Sequence, residues 1–346
     1  MAIGKILKLG VVAVVAIVAL VVIGFLTGVL GVPSVTVEDP GDWGNVSENE
    51  TEVETTLSVS NPNPIGVTLS SGIDANYFVQ LNGIEVVTGE REEIAIPKGD
   101  STIRLVSTID NQKLVPWWRE YVRANETIDI TASGAAEIDA LLSTTIEFPE
   151  YEQTVLEGQR PVISAFDAGV SSMEGNYTRD VALGTVGYQI RDASARWGPV
   201  SNRTSLVYVD YRIHNPGDVP VPLVPDGFQM AADANDISLF QAGRESMSVQ
   251  NVDGDALLPP GETRTVTYTV NMSNEQVDDW FVSHVERSEQ TTLTIRPQLT
   301  FDIARTGNEI TIPQDGAGYT CELQTAMLVD DQNTSTTCGS GGGLGA

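Results

Sequence analysis

The chain carries an internal repeat, and no other feature limits its fold as strongly. Residues 43–47 read Trp-Gly-Asn-Val-Ser and residues 197–201 read Trp-Gly-Pro-Val-Ser, 154 positions later. At the same offset Asn61-Pro62 meets Asn215-Pro216, and VETTLSVSNP at 53–62 corresponds to VYVDYRIHNP at 207–216. IAIPKGDSTIRLVSTI at 94–109 matches ALLPPGETRTVTYTVN at 256–271 at offset 162, which lays Trp118 on Trp280. TIDITASGAAEI at 127–138 follows TLTIRPQLTFDI at 292–303 at offset 165, and IEFP at 146–149 meets ITIP at 310–313. Chance gives one such match, not five in order. Four of the five tryptophans (Trp43, Trp118, Trp197 and Trp280) therefore pair, and two copies of one domain are expected at 34–156 and 187–325. Residues 157–186, mixed in Gly, Ser, Asp and Met, read as a linker, and residues 326–346 as a flexible tail.

Within each copy the pattern is that of strands. Thr55, Leu57 and Val59 fall on one face by alternation, as do Val207, Val209, Tyr211 and Ile213. Asn82-Gly83, between YFVQL and IEVV, is a type I′ hairpin signal. Pro62 and Pro216 lack a donor and end their strands. One short helix interrupts each copy. Residues 111–123 hold Val115, Trp118 and Val122 on one side; in the second copy Ser273 and Gln276 read as a capping box before Val277, Trp280, Phe281 and His284. Short antiparallel strands with one packing helix per copy predict an all-β fold of two tandem β-sandwiches.

Residues 1–33 read as a cytoplasmic tip and a transmembrane helix. Positions 9–32 are 24 residues without a charge. A helix there is about 36 Å long at about 1.5 Å per residue, enough for a hydrocarbon core of about 30 Å. A cleaved signal peptide, the alternative, usually has a shorter apolar region of about 7–15 residues. Lys5 and Lys8 precede the stretch, and Glu38, Asp39 and Asp42 follow it. That asymmetry orients the N-terminus to the cytoplasm and the remainder outside, on a single-pass anchor in the cell membrane. Membrane lipid along residues 9–32 is thus an expected partner.

The formal charge is −28, from 19 Lys and Arg against 47 Asp and Glu. Nucleic acid is excluded as a partner, because binding phosphate needs clustered cations. Lys98 and Lys113 are the only lysines after the anchor. A carboxylate-rich, lysine-poor surface suits concentrated salt, where repulsion is screened over about 3 Å at 1 M. Seven Asn-x-Ser/Thr sequons occur, at Asn45, Asn49, Asn125, Asn176, Asn202, Asn271 and Asn333, where chance pairing of 17 Asn with 56 Ser and Thr gives about three. They are candidate glycosylation acceptors. Cys321 and Cys338 are a candidate disulfide, with two free thiols as the alternative.

Taken in order, the Asn-Pro turn after a first long strand, the VQLNGIEVVTG hairpin at 79–89, the Pro-x-Gly stretch before a strand and the late Trp-bearing helix resemble the late embryogenesis abundant group 2 proteins. Their module is also called the water stress and hypersensitive response (WHy) domain. The resemblance covers both copies, about 260 residues. The second copy departs from the pattern, with Gly217-Asp218 in place of Asn63-Pro64. The resemblance implies an immunoglobulin or fibronectin-like sandwich and a non-enzymatic role in tolerance of desiccation or osmotic stress, without a cofactor.

Motifs for catalysis are missing: there is no G-x-S-x-G, H-E-x-x-H, P-loop or dinucleotide fingerprint before a helix. His284 reads as a packed helix residue and His214 as a polar turn residue. For calcium, Asn251, Asp253 and Asp255 alternate, and Asp233, Asn235 and Asp236 are close, but neither loop has the glycine and glutamate of an EF-hand. The expectation is a membrane-anchored stress-protection protein at the outer cell surface. The alternative is a surface module that binds an envelope protein or a glycan.

Overall fold

The computed structural model describes residues 34–340, apart from 63–66, 70–72, 92–93, 140–142, 148–149, 183, 251, 253–255, 304–307, 314–317, 326–327 and 330–331. The expected span at 9–32 lies outside the described residues. Among the described residues no helix is long and apolar enough to cross a membrane.

The fold is all-β, with antiparallel pairing throughout. It divides into two compact units. The first comprises residues 1–159, 284–289 and 325–334; the second comprises 160–283, 290–324 and 335–346.

In the first unit one sheet runs in the order Ser34–Val46, Glu50–Asn61, Gly99–Asp110, Ile84–Arg91, Ile73–Leu81, Ile128–Asp139 and Tyr151–Val155, with Ser143–Glu147 also on Ile128–Asp139. Among the described residues, the pair Val87 opposite Ile109 joins its two halves. Asn82 (φ 50°) and Gly83 (φ 77°) close the expected I′ hairpin. A short 3₁₀ turn over Asn111–Lys113 leads into the helix Leu114–Arg123. Pro116 is tolerated there because it falls in the first turn, where its missing N–H has no helical partner. The helix buries Leu114, Trp117, Trp118, Tyr121 and Val122.

The second unit has two main sheets. One runs Gly175–Val181, Gly184–Val200, Thr204–His214, Thr263–Ser273 and Met247–Gln250; the other runs Ile237–Gly243, Gly227–Ala234, Gln290–Ile303, Tyr319–Gln324 and Ser335–Ser340. Alternation is clear on Thr204–His214, where Ser205, Val207, Val209, Tyr211 and Ile213 are all buried. Tyr188 of the first sheet stacks on Phe301 of the second at 4.4 Å between ring centroids. The phenols of Tyr188 and Tyr268 donate to the backbone oxygens of Pro222 and Leu223, so the rings bury their area and still satisfy their polar ends. Burial holds both hydroxyls, and that of Tyr211, well above the usual tyrosine range.

Two expectations are corrected. The stretch 157–186 is not an unstructured linker: Pro161–Ser171 is a helix, and strands occupy Gly175–Val181 and the start of Gly184–Val200. Pro161 sits at the helix start, and Val162, Ile163, Ala165, Phe166, Gly169 and Val170 are buried. A Cβ on Gly169 would meet Ile295 Cδ1 at 3.0 Å, so glycine lets the helix approach its strand. The interspersed Gly and Ser are what made this segment look like a linker. Part of the expected tail 326–346 is a strand. Ser335–Ser340 pairs with Tyr319–Gln324, with Cys338 opposite Cys321 and the two joined as a disulfide.

Candidate functional site

The repeated tryptophans sit in repeated registers. Trp43 pairs with Val53, and after a bulge Val46 pairs with Thr51. Trp197 pairs with Val207, and after a bulge Val200 pairs with Ser205. Every member is shifted by 154. The later strands keep a shift of 163: Val53 faces Ser107 as Val207 faces Val270, and Leu81 faces Ile130 as Ala234 faces Leu293. Offset 163 corrects the expected values of 162 and 165 across the helix and the strand that follows. Trp280 therefore corresponds to Trp117, and Trp118 corresponds to Phe281. The first helix carries the doublet Trp117-Trp118 where the second carries Trp280-Phe281, so either tryptophan of the doublet can be laid on Trp280.

The corrected offset exposes a pair of sites that no motif had indicated. Asn111 is fully buried; its Oδ1 accepts from Thr51 Oγ1 at 3.0 Å, and its Nδ2 donates to the Ser47 carbonyl at 2.9 Å. Asn274 is fully buried too; its Oδ1 accepts from Ser205 Oγ at 2.8 Å, and its Nδ2 donates to the Ser201 carbonyl at 2.9 Å. Each amide ties the segment leading into a helix to a turn between two paired strands: the turn between Ser34–Val46 and Glu50–Asn61 for Asn111, and the turn between Gly184–Val200 and Thr204–His214 for Asn274. Asn274 also replaces the expected capping box. The helix begins at Val277, Ser273 ends the preceding strand, and its Oγ accepts from the Glu275 N–H.

Each helix ends on two residues with positive φ. These are Asn125 (56°) and Glu126 (63°) in one case, Ser288 (57°) and Glu289 (59°) in the other. Both glutamates are fully buried. Tyr121 Oη donates to Glu126 Oε2 at 3.4 Å, and burial, with the Glu126 charge second, pushes the Tyr121 phenol up. Glu289 Oε1 accepts from Trp43 Nε1 (2.9 Å) and from the backbone N–H groups of Leu328 (2.6 Å) and Val329 (3.0 Å). Its Oε2 accepts from Thr325 Oγ1 at 2.9 Å, and that hydroxyl lies 2.9 Å from His284 Nε2. His284, Thr325 and Glu289 have the look of a catalytic chain. Donors already occupy both oxygens of the fully buried carboxylate, so this arrangement anchors backbone.

The Asn-Pro asparagines are structural in the same sense. Asn61 Nδ2 donates to the Pro97 carbonyl, and Asn215 Nδ2 donates to the carbonyls of Val219 and Leu258. Pro62 and Pro216 are exposed. Trp280 Nε1 donates to Thr291 Oγ1 at 3.0 Å. His214 Nδ1 lies 2.9 Å from the Glu262 carbonyl oxygen. Of the calcium candidates, Asn251, Asp253 and Asp255 lie outside the described residues. Asp233 pairs with Arg296, and Asn235 (φ 55°) forms a turn. Among the described residues no group of three or more His, Cys, Asp or Glu is placed to hold a metal ion. The first unit carries an open groove of about 590 Å³ lined by Tyr77, Phe78, Thr88 and Ser133, with Glu85 and Glu150 also on its lining.

The sequence profile of the family described as Late embryogenesis abundant protein matches residues 56–150. The match supports an LEA-type family. A curated relative, an uncharacterized protein of Methanocaldococcus jannaschii, is 35% identical over 72 residues, which is 20% of this chain and 41% of that protein. The chain thus spans about two fifths of the length of the curated relative it matches. A crystal structure of a protein from Archaeoglobus fulgidus is 22% identical and covers 35% of this chain and 95% of its own, with a TM-score of 0.28. A solution structure from Arabidopsis thaliana is 17% identical, covering 35% and 83%, with a TM-score of 0.23. At such scores these two likenesses carry no weight for the fold.

Proposed function

We propose that the chain is a non-enzymatic stress-protection protein, anchored in the cell membrane through residues 9–32 and displaying two WHy-like sandwich copies at the outer surface. In this reading the two units descend from one domain, and the sheets of each stack face to face. The LEA-type match at 56–150 is the observation that carries it. The duplicated Asn111 and Asn274 ties support the two-copy reading, and the charge of −28 supports a role in holding water and ions as water is lost. Carboxylates bind hydration water strongly, and a folded core keeps them spaced. Deleting the gene and measuring survival after drying or osmotic shift tests the role; unchanged survival refutes it. Protease digestion of intact cells tests the topology.

The second reading is a surface module that binds an envelope protein or a glycan. The groove lined by Tyr77, Phe78, Thr88, Ser133, Glu85 and Glu150 favours it, because hydroxyl and carboxylate groups beside apolar surface suit a polar ligand. A pull-down whose capture is lost in a Phe78→Ala variant favours this reading over the first.

A further inference from the structure

All seven sequon asparagines are exposed, whereas Asn61, Asn82, Asn111, Asn215, Asn235 and Asn274 are buried or half-buried. The hydroxyl residues two positions on divide them. Ser47, Thr204 and Ser335 are exposed, and Thr127, Thr178 and Ser273 are half-buried. Thr51 is fully buried and donates to Asn111 Oδ1 at 3.0 Å. Since a sequon is read as the asparagine together with its hydroxyl, the folded chain offers complete sequons at Asn45, Asn202 and Asn333 and half of one at Asn49. Asn45 also lies on Ser34–Val46, an edge strand of the first unit's main sheet, where a bulky substituent blocks pairing with another chain.

We propose that the folded chain is N-glycosylated at Asn45, Asn202 and Asn333 and bypassed at Asn49. In each transfer the asparagine Nδ2 forms a bond to C1 of a saccharide supplied by a lipid-linked saccharide phosphate. The C1–O bond to the phosphate breaks, the lipid phosphate leaves with the bonding electrons, and the Nδ2 proton is lost to solvent. The proposal rests on the outward display inferred above.

The test is mass mapping of peptides from the full chain purified from its own cells, with protease treatment of intact cells alongside. Saccharide mass is expected at the three complete sequons, with occupancy at Asn49 about tenfold lower because its hydroxyl must first be freed from a buried bond. An Asn202→Gln variant is expected to lose one mass increment. A bare asparagine at any of the three, on a chain that external protease digests, overturns the glycosylation and leaves the display standing. A chain that is protected and bare overturns both. Occupancy at Asn49 equal to that at Asn202 overturns the selection by burial.

Discussion

Replacing Asn111 by alanine is expected to destabilise the first unit by about 2–4 kcal/mol. The amide makes two good hydrogen bonds, to Thr51 and Ser47, and a longer one of 3.4 Å to the Glu48 carbonyl. Each contributes about 1 kcal/mol net, and a buried partner left unsatisfied costs about 1–3 kcal/mol. Thr51 is fully buried, so its hydroxyl is the orphan; the Ser47 carbonyl belongs to an exposed turn and regains water. Thr51→Val removes the orphan, so it is expected to cost at least about 1 kcal/mol less in the Asn111→Ala background than in the parent. The assay is urea unfolding combined with backbone hydrogen exchange, read on Glu50–Asn61. Asn274→Ala should have the same effect on Thr204–His214, since Ser205 is buried in the same way. An Asn111→Ala chain within about 0.5 kcal/mol of the parent, or a Thr51→Val cost that ignores the background, refutes the argument.

Gly99 and Gly261, with φ of 77° and 75° and open space where a Cβ would be, are expected to lose about 1–2 kcal/mol each on replacement by alanine, purely from the left-handed backbone; thermal melts measure it. Cys321→Ser removes a link between residues 17 apart and is expected to cost about 3 kcal/mol, with faster exchange in Ser335–Ser340. Tyr121, Tyr188, Tyr211 and Tyr268 have folded pKa values above the unfolded one, so their contribution is complete below about pH 10 and is lost as pH rises beyond it, at about 1.4 kcal/mol per unit for each. Phenolate absorbance in the native chain should lag that of the urea-unfolded chain. The lysine-poor acidic surface predicts a higher melting temperature in molar KCl than in dilute buffer; equal melts count against it.

Strands and turns were legible wherever side chains carried a strong local code. Asn82-Gly83 could be read because few residues accept positive φ, and the Trp43 and Trp197 strands could be read because a bulky aromatic marks them twice. The buried polar ties were not legible. Asn111, Asn274, Glu126 and Glu289 look like any surface residue in a chain so rich in Asn and acids; only the correct offset, hidden by the Trp117-Trp118 doublet, aligns them. Pro161–Ser171 was missed for a different reason. Its glycine is there for close packing, a tertiary cause that composition reads as looseness.

The first unit draws on residues 284–289 and 325–334 as well as 1–159. During synthesis its opening strands therefore emerge long before its final pieces. At about 5–20 residues per second the ribosome needs about 10–35 s to travel from residue 159 to residue 334. For that interval the leading half waits unfinished, and a gene cut near residue 160 would strand it in that state.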